Sequence, residues 1–428
     1  MKQKISIYKS LLILLVNILW LPTGFAQTLQ KPISFSAYMA KVDSGNLEYA
    51  AQKLNISIAK AEVVAAKVRN NPEIGFSYFN NEQSKKQMGY GGSVSLSQTF
   101  TFGKRAASID LAKSNNELTS SLLSDYLRNL HADAAVYYYG ALKQKMLYEV
   151  KRDAYQRIHE LAQSDSVRAA KGKIMEIDAI QSKVEAGLML NELFQSETEK
   201  NQAFTGLSLY MGNNKTAAIF CPETEMKLAY RDFHLAELIE IGKMQRADLV
   251  AALQNIDVAK KEVKVAQRDN NSDVTVSVEA GHNYEVKNEI APAPAFNSIK
   301  AGISFPLPFS KLNRGNVNAA KQRVQQASLL YDHAALQVQN EIIQAYSQYE
   351  SAFKQVRSFE NGLLEQSSEV LKGKIYSYNR GETSLLEVLN AQRTYDDVQS
   401  QYYEAVFNYN SALIELERNA GIWDLNKQ

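Results

Sequence analysis

Four short segments of the chain alternate between apolar and polar residues with almost no exceptions. They are residues 73–79, 93–102, 273–280 and 298–308. A period of two is typical of β-strands that have one apolar and one polar face. The pattern therefore predicts two β-hairpins, 73–102 and 273–308, with polar loops at about 80–92 and 282–297.

Apolar residues at helical spacing fill most of the remaining chain, where glycine and proline are rare. The predicted helices cover about 35–70, 106–170, 174–211, 235–268, 316–378 and 384–420. The two long helical pairs each turn at a glycine, Gly172 or Gly381. Helices this long need lateral partners, and coiled-coil packing is the usual solution. The same apolar stripe fits a solid rod and a water-filled tube, so the periodicity leaves both open.

The chain contains an internal duplication. Residues 55–63 and 255–263 are similar, and the same spacing of 200 continues to Ser77 and Ser277. Small insertions shift the later pairs, which are Lys104 with Lys311, Tyr137 with Tyr346, Gly172 with Gly381 and Gln181 with Gln392. A structural unit that occurs twice predicts a function that two equivalent halves build together.

The duplication defines the predicted domains. The first repeat, 27–230, comprises a helix, the β-hairpin 73–102, the helical hairpin 106–211 and a linker at 212–230. The second repeat, 231–428, comprises a helix, the β-hairpin 273–308, the helical hairpin 316–420 and a C-terminal tail.

Residues 1–26 have the pattern of a secretory signal peptide. Lysines precede an apolar run at 11–21, and the small residues Gly24 and Ala26 stand where a signal peptidase cuts. The mature protein is therefore expected to begin at Gln27. The apolar run is shorter than the roughly 20 residues of a spanning helix, which argues against a signal anchor. Because no cysteine lies near the cleavage site, no N-terminal lipid is expected.

The composition excludes several classes of function. The 428 residues have a net charge of +2, which gives no reason to expect a nucleic-acid partner. The one cysteine, Cys221, rules out a disulfide framework, and the 5 histidines have no metal-ligand spacing. The chain has no phosphate loop and no nucleophile constellation. We therefore expect no cofactor, no metal site and no enzymatic activity.

The four predicted strands would form a poor soluble sheet, because both edges would stay open. Their lengths approach the roughly 9 to 11 residues of a tilted strand that crosses a membrane. Closure across three subunits would give twelve strands without edges. A soluble sheet with one hydrated face is the alternative.

Several motifs resemble the TolC-like outer-membrane efflux family, the outer-membrane factors of tripartite efflux and type I secretion systems. They are Asn71-Pro72-Glu73, Ser97-Gln98-Thr99-Phe100, Gly103-Lys104-Arg105, Phe305-Pro306-Leu307, Asn313-Arg314-Gly315 and Tyr378-Asn379-Arg380-Gly381 followed by 384–392. Their order, doubled and at matching spacing, covers essentially the whole mature chain. The stretch from Gln98 to Arg105 is similar to the metal-cation efflux branch.

The resemblance implies a mainly α fold with a small β part. It implies a homotrimeric outer-membrane β-barrel, with four strands per chain, continued by a long periplasmic α-helical barrel. Such a protein is a passive exit duct in the outer-membrane lipid, supplied by an inner-membrane pump through a periplasmic adaptor. Drug, metal and polypeptide export all stay open, because the pump selects the substrate. A periplasmic coiled-coil scaffold with a small soluble sheet is the alternative function.

The resemblance also implies functional residues at the helical turns. Glu387 and Asn390 match the positions that ring the periplasmic constriction, and relatives often carry acidic residues at both. The candidate adaptor contacts are the tip residues Ala170, Lys171, Gly172, Asn379, Arg380 and Gly381. In the first repeat Glu176 follows its glycine two residues sooner than Glu387 does. This spacing predicts inequivalent tips and no gate role for Glu176. A helical ion pair with Arg393 is the alternative role of Glu387.

Overall fold

The computed structural model describes residues 30–83, 86–212, 219–223, 230–269, 271–307 and 312–423. The predicted signal peptide, most of the predicted linker and the end of the predicted C-terminal tail lie outside the described residues, as does Lys311. Among the described helices, none is both long and apolar enough to cross a membrane.

The secondary structure has one order of elements that occurs twice. Strand β1 (Gln30–Ile33) is followed by α1 (Phe35–Gly45), α2 (Leu47–Ala66), β2 (Glu73–Gln83), β3 (Lys86–Phe100), α3 (Lys104–Ala170) and α4 (Glu176–Tyr210). After β4 (Ile219–Pro222) come α5 (Leu235–Gln245), α6 (Ala247–Arg268), β5 (Val274–Asn283), β6 (Phe296–Ser304), α7 (Leu312–Ser358), α8 (Leu364–Asn379) and α9 (Leu385–Ala420). The fold is mainly helical with a small β part, as predicted.

The chain forms two compact units, and their boundaries differ from those of the sequence repeats. The first unit contains the described residues 30–45, 140–212 and 219–223. In it, β1 and β4 pair in parallel, and Tyr38 of α1 and Leu207 of α4 are buried. The sequence pattern missed both strands, because four residues are too few to establish a period of two.

The second unit contains residues 46–139 and the described part of the chain from 230 onwards. Its sheet is antiparallel throughout, with the strand order β2-β3-β5-β6. The central strands β3 and β5 come from different repeats, so each repeat contributes one hairpin to a single sheet. Beside the sheet, helices α5 to α9 bury a core that includes Ile342, Val356, Val406, Leu413 and Ile414.

The strands differ from their predicted bounds at the loops. β2 and β3 extend into the predicted loop at 80–92, where Asn80 pairs with Tyr90, and after a register shift the pairing continues to Gln83 and Lys86. β6 begins at Phe296 and ends at Ser304, which is earlier than the predicted 298–308 at both ends. The polar residues and glycines at 80–92 break the alternation of apolar and polar residues, but backbone hydrogen bonds extend a ladder without apolar side chains.

The first helix of each repeat is broken, which the prediction of continuous helices at 35–70 and 235–268 got wrong. The breaks fall at Asn46 and Arg246, which are equivalent at the repeat spacing of 200. Both residues have extended backbone angles, and the Asn46 side chain accepts a hydrogen bond from the Tyr49 amide at 2.8 Å. At Asn46 a capping side chain directly after Gly45 starts the new helix, whereas Arg246 makes no side-chain cap hydrogen bond.

A second interruption separates α7 from α8, where an unbroken helix at 316–378 was predicted. Residues 359–363 form a π-helical turn in which Asn361 and Gly362 leave the helical region. Gly362 has a φ of 115°, a value that side chains other than glycine rarely adopt. The prediction failed because a single glycine inside a helical pattern is normally tolerated.

Candidate channel surface and helical tips

One face of the four-stranded sheet is apolar and exposed. The rows of paired residues on this face are Ile74–Leu96–Val278–Ala301 and Phe76–Val94–Ala280–Ile299. Phe76 is 80% exposed and Ile299 is 82% exposed, although both would be buried in an ordinary core. We call this surface the apolar face. Exposed apolar surface of this extent indicates contact with a partner or with lipid.

Aromatic residues mark both ends of the apolar face. At one end Tyr78 is exposed, and the rings of Tyr90 and Tyr284 stack with their centroids 4.4 Å apart. At the opposite end Phe100, Phe102 and Phe305 are exposed. Aliphatic residues between two aromatic girdles are typical of strands that cross a membrane.

The opposite face of the sheet, which we call the polar face, consists mainly of small polar residues and glycine. Hydroxyls hydrogen-bond across the strands from Ser77 to Ser93 at 2.7 Å and from Thr99 to Thr275 at 2.8 Å. The Lys300 ammonium donates to the Glu279 carboxylate at 3.2 Å. The sheet therefore has one apolar and one polar face, as the period of two predicted.

The outer strands β2 and β6 each pair on one side only within the described chain. Every residue of β2 is exposed, and so are most residues of β6. Two open edges with exposed apolar side chains are unfavourable for an isolated sheet in water. The backbone N–H and C=O groups at the outer edges of β2 and β6 are therefore free to pair with another strand.

The two helical tips have the same backbone structure. Each ends in a glycine with positive φ, 70° at Gly172 and 79° at Gly381. The amide of Lys173 donates to the Arg168 carbonyl, and that of Glu382 donates to the Ser377 carbonyl, both at 2.9 Å. This pattern is the Schellman motif, which satisfies carbonyls at a helix C-terminus.

The equal turns correct the predicted inequivalence of the two tips at the level of the backbone, while the absence of a gate role for Glu176 stays a prediction. The following helices begin at Glu176 and Leu385, each four residues after its glycine. Counted from the helix start, Asp178 rather than Glu176 occupies the position of Glu387. The predicted difference came from counting residues between the glycine and the first glutamate. The equivalent positions are instead set by the first residue of each helix.

All six predicted tip residues are exposed at the ends of their helical hairpins. Nothing lies within 4 Å of the place where a side chain would start at Gly172 or Gly381. The glycines therefore serve the positive φ of the turn rather than a close approach. Arg380 is held by its own tip, since it donates to Glu382 at 2.8 Å and to the Tyr376 hydroxyl at 2.9 Å.

Glu387 and Asn390 lie one turn apart on the exposed face of α9, while Val388 and Leu389 are buried. The Glu387 carboxylate accepts a hydrogen bond from the Lys374 ammonium at 2.5 Å. This pairing lowers the pKa of Glu387 below its ordinary value of 4.5. The sequence did not reveal this partner, because Lys374 lies on α8, across the tip turn.

A polar cavity of about 410 Å³ lies among the helices of the second unit. Arg246, only 4% exposed, crosses it and donates to Asp248 at 2.5 Å and to Glu341 at 2.6 Å. Burial would raise the pKa of Asp248, yet the pairing with Arg246 lowers it below its ordinary value. This cluster was not predicted, because Glu341 lies 95 residues from Arg246 and meets it only in the tertiary fold.

Within the described residues, no group of three or more His, Cys, Asp or Glu side chains is arranged to hold a metal ion. Cys221 is a free thiol of intermediate exposure in β4.

Residues 238–421 match the family model of outer membrane efflux proteins. The cobalt-zinc-cadmium resistance protein CzcC of Cupriavidus metallidurans is 21% identical over 391 residues, 91% of this chain and 90% of that protein. The chain is thus similar to outer membrane efflux proteins, in agreement with the resemblance of its motifs.

Solved structures have the same fold. The channel CusC aligns with a TM-score of 0.75 at 14% identity, covering 94% of this chain and 96% of CusC. The open state of the Neisseria gonorrhoeae outer-membrane channel MtrE aligns with a TM-score of 0.70 at 15% identity, covering 90% and 88%. At these identities the likeness establishes the fold alone.

Proposed function

We propose that the protein is the outer-membrane exit duct of a tripartite efflux system. It works as a homotrimer, and its passive channel receives substrates from an inner-membrane pump through a periplasmic adaptor. The match of residues 238–421 to the family model of outer membrane efflux proteins supports a transport role rather than an enzymatic one. The two-faced sheet with two open edges is the observation that carries the proposal.

Closure of the sheet across three chains gives the barrel. Three copies of the 4-stranded sheet supply twelve strands, and β2 of one chain pairs with β6 of the next. The apolar face then contacts lipid, and the polar face lines the lumen. At about 3.4 Å per residue and a tilt near 40°, the 10 residues of β5 cover about 26 Å of membrane. This height is close to the apolar band of outer-membrane barrels, about 25 Å.

Exposed apolar residues on the long helices support the trimer. On α4 these include Ile177, Ile180, Val184, Leu188 and Phe194, each at least 48% exposed. Such a stripe on a long helix requires a lateral partner. A neighbouring copy of the chain provides one, and the helices of three copies then enclose a periplasmic tube.

The gate lies at the second helical tip, where Glu387 and Asn390 share one exposed face. Three copies of Glu387 around a narrow axis would favour cations, but the paired Lys374 offsets much of this charge. The exposed tips, from Ala170 to Gly172 and from Asn379 to Gly381, are the surfaces offered to the adaptor.

Metal cations are the substrates that we propose. The supporting observation is the relative CzcC, whose name records resistance to cobalt, zinc and cadmium and whose length the chain matches almost fully. In such a system the pump selects the substrate, and the duct conducts it.

Membrane fractionation tests the proposal. A duct remains in the outer-membrane fraction and runs as a heat-sensitive trimer on a gel, after removal of residues 1–26 and without an N-terminal lipid. The alternative, a periplasmic scaffold, would be released with the soluble periplasm. Recovery of a soluble monomer would therefore reject the duct.

A further inference from the structure

One row of the polar face differs from its neighbours in charge. Glu279 and Lys300 are directly paired in register and share their row with Gly75 and Ser95. In the row on one side, the paired residues are Ser77, Ser93, Gly281 and Ser298. In the row on the other side they are Glu73, Ser97, Ser277 and Gly302. Glu279 and Lys300 are therefore the long charged side chains in the middle of this face, and Glu73, at the start of β2, is the charged residue of the neighbouring row.

The geometry of this row indicates an electrostatic role. The Lys300 ammonium lies 3.2 Å from the Glu279 carboxylate, and the two side chains are 69% and 33% exposed. A pair this accessible to water adds little stability. Its position in the middle of the strands, away from both aromatic ends, gives the sheet no evident packing benefit either.

We infer that the Glu279–Lys300 pair sets the ion selectivity of the duct at the level of the outer membrane. This inference rests on the proposed trimeric barrel with its polar face inwards. Three copies would form one belt of alternating charge around the lumen. Rings of charge inside a narrow pore concentrate ions of the opposite sign. Lys300 cancels the ring that Glu279 alone would form.

The balance of the belt suits the transport of inorganic cations. An uncompensated ring of three carboxylates would concentrate cations and hold them in the lumen, whereas conduction requires binding weak enough for release. An uncompensated ring of three ammonium groups would repel the same cations. The paired belt thus provides polar groups for hydrated cations without retaining them.

Single substitutions that keep side-chain size test the inference. Purified trimers in planar bilayers under a potassium chloride gradient give the permeability ratio of potassium to chloride. We expect Lys300→Gln to raise this ratio several-fold and Glu279→Gln to lower it. The double variant should return close to the wild-type ratio, because both charges are then absent.

Lys287→Gln is the matched control. Lys287 pairs with Glu285 at 3.5 Å in the loop between β5 and β6, so the variant makes the same charge change outside the sheet. It should shift the permeability ratio much less than Lys300→Gln. Gel analysis of the heat-sensitive trimer verifies that each variant has assembled.

Two outcomes separate the inference from the proposed function. If assembled Lys300→Gln and Glu279→Gln channels conduct with the wild-type permeability ratio, the belt does not set selectivity and the inference is rejected. If the wild-type protein forms no channel at all, the duct itself is rejected, whatever the variants do.

Discussion

The first long helix, α3, runs from Lys104 to Ala170 without interruption, whereas its counterpart in the second repeat is broken at 359–363. Both helical pairs nevertheless end in the same Schellman turn. The two copies of the duplicated unit therefore agree at their tips and differ along their length. The interruption at 359–363 lies in the repeat that carries Glu387.

Packing explains why the first helix continues. At the spacing that pairs Gly172 with Gly381, the interruption corresponds to residues 150–154 of α3. Val150 and Ala154 are buried there, at 4% and 3% exposure. In the second repeat the corresponding segment contains Gly362, and none of its residues is buried. A continuous buried stripe favours an unbroken helix, and its absence leaves room for a π-helical turn.

The π-helical turn at 359–363 is hydrogen-bonded to Tyr230, which lies at the end of the first repeat. The Tyr230 hydroxyl donates to the Glu360 carboxylate at 2.7 Å. Arg357 lies 4.6 Å from the centre of the Tyr230 ring and 3.7 Å from Glu360. Burial and the bond to Glu360 raise the pKa of Tyr230 to about 12, so this donor stays protonated at physiological pH. The π-helical turn is thus held by a hydrogen bond and an ion pair to Glu360.

The largest expected difference between the repeats concerns their equivalent helix breaks, Asn46 and Arg246. Arg246→Ala should destabilise the protein by about 3 kcal/mol, because it removes the buried guanidinium that Asp248 and Glu341 share. We place the effect at the low end of the range for buried pairs, because both carboxylates are about a third exposed. Asn46→Ala should cost only about 1 kcal/mol, the value of a lost helix cap.

Thermal unfolding of the purified protein in detergent measures both variants against the wild type. Equal losses from Asn46→Ala and Arg246→Ala would contradict this comparison. The guanidinium would then contribute no more than an ordinary cap. A fall in wild-type stability as the pH drops below the ordinary pKa of Asp248 would agree with the pairing, because its pKa is lowered in the fold.

A smaller effect is expected at the interruption itself. Gly362→Ala should destabilise by about 1 to 3 kcal/mol, because φ of 115° strains any side chain. Gly373→Ala is the matched control, since Gly373 lies in α8 with nothing within 4 Å of a new side chain. That variant should instead stabilise by up to about 1 kcal/mol, the difference in helix propensity.

Hydrogen exchange across 355–370 and thermal unfolding provide the measurements. If Gly362→Ala stabilised the protein as Gly373→Ala does, the second helix would be as continuous as the first. The contrast between the two repeats would then be lost. Faster exchange in this segment than at 150–154 would support the contrast independently.

The predictable parts of the fold are those fixed by local patterns. Alternation of apolar and polar residues gave the strands, and Gly172 and Gly381 marked the tips, because each signal lies within a few residues. The helix breaks at Asn46 and Arg246 were not predicted, because asparagine and arginine also occur inside helices. The sequence also did not predict the break at 359–363, because a single glycine rarely ends a helix.

The candidate site was predictable only in part. The resemblance located Glu387, Asn390 and the tips, but it could not reveal Lys374, which reaches Glu387 across the turn. Nor could it reveal the pairing of Glu279 with Lys300, since cross-strand register depends on the whole hairpin. Contacts between side chains of different elements follow from the tertiary fold, and a single sequence does not show them.

The smallest expected effect distinguishes the two tips by their charges. In the second repeat Lys374 pairs with Glu387, with side chains 42% and 50% exposed. The equivalent of Lys374 in the first repeat is Asp165, a buried residue 3.5 Å from Arg168. Lowering the pH should therefore loosen the second tip more than the first.

The sign follows from the pKa of Glu387, which Lys374 lowers from the ordinary value of 4.5. A lowered pKa in the fold means that the pair stabilises the tip above that value and that this contribution disappears as the pH falls through the lowered pKa. Hydrogen exchange of residues 374–390 and 165–181 in one sample gives a ratio that cancels the intrinsic effect of pH. We expect this ratio to rise on acidification in the wild type but not in Lys374→Met. An unchanged wild-type ratio would mean that the two tips respond alike, so their difference in charge would have no bearing on the proposed gate.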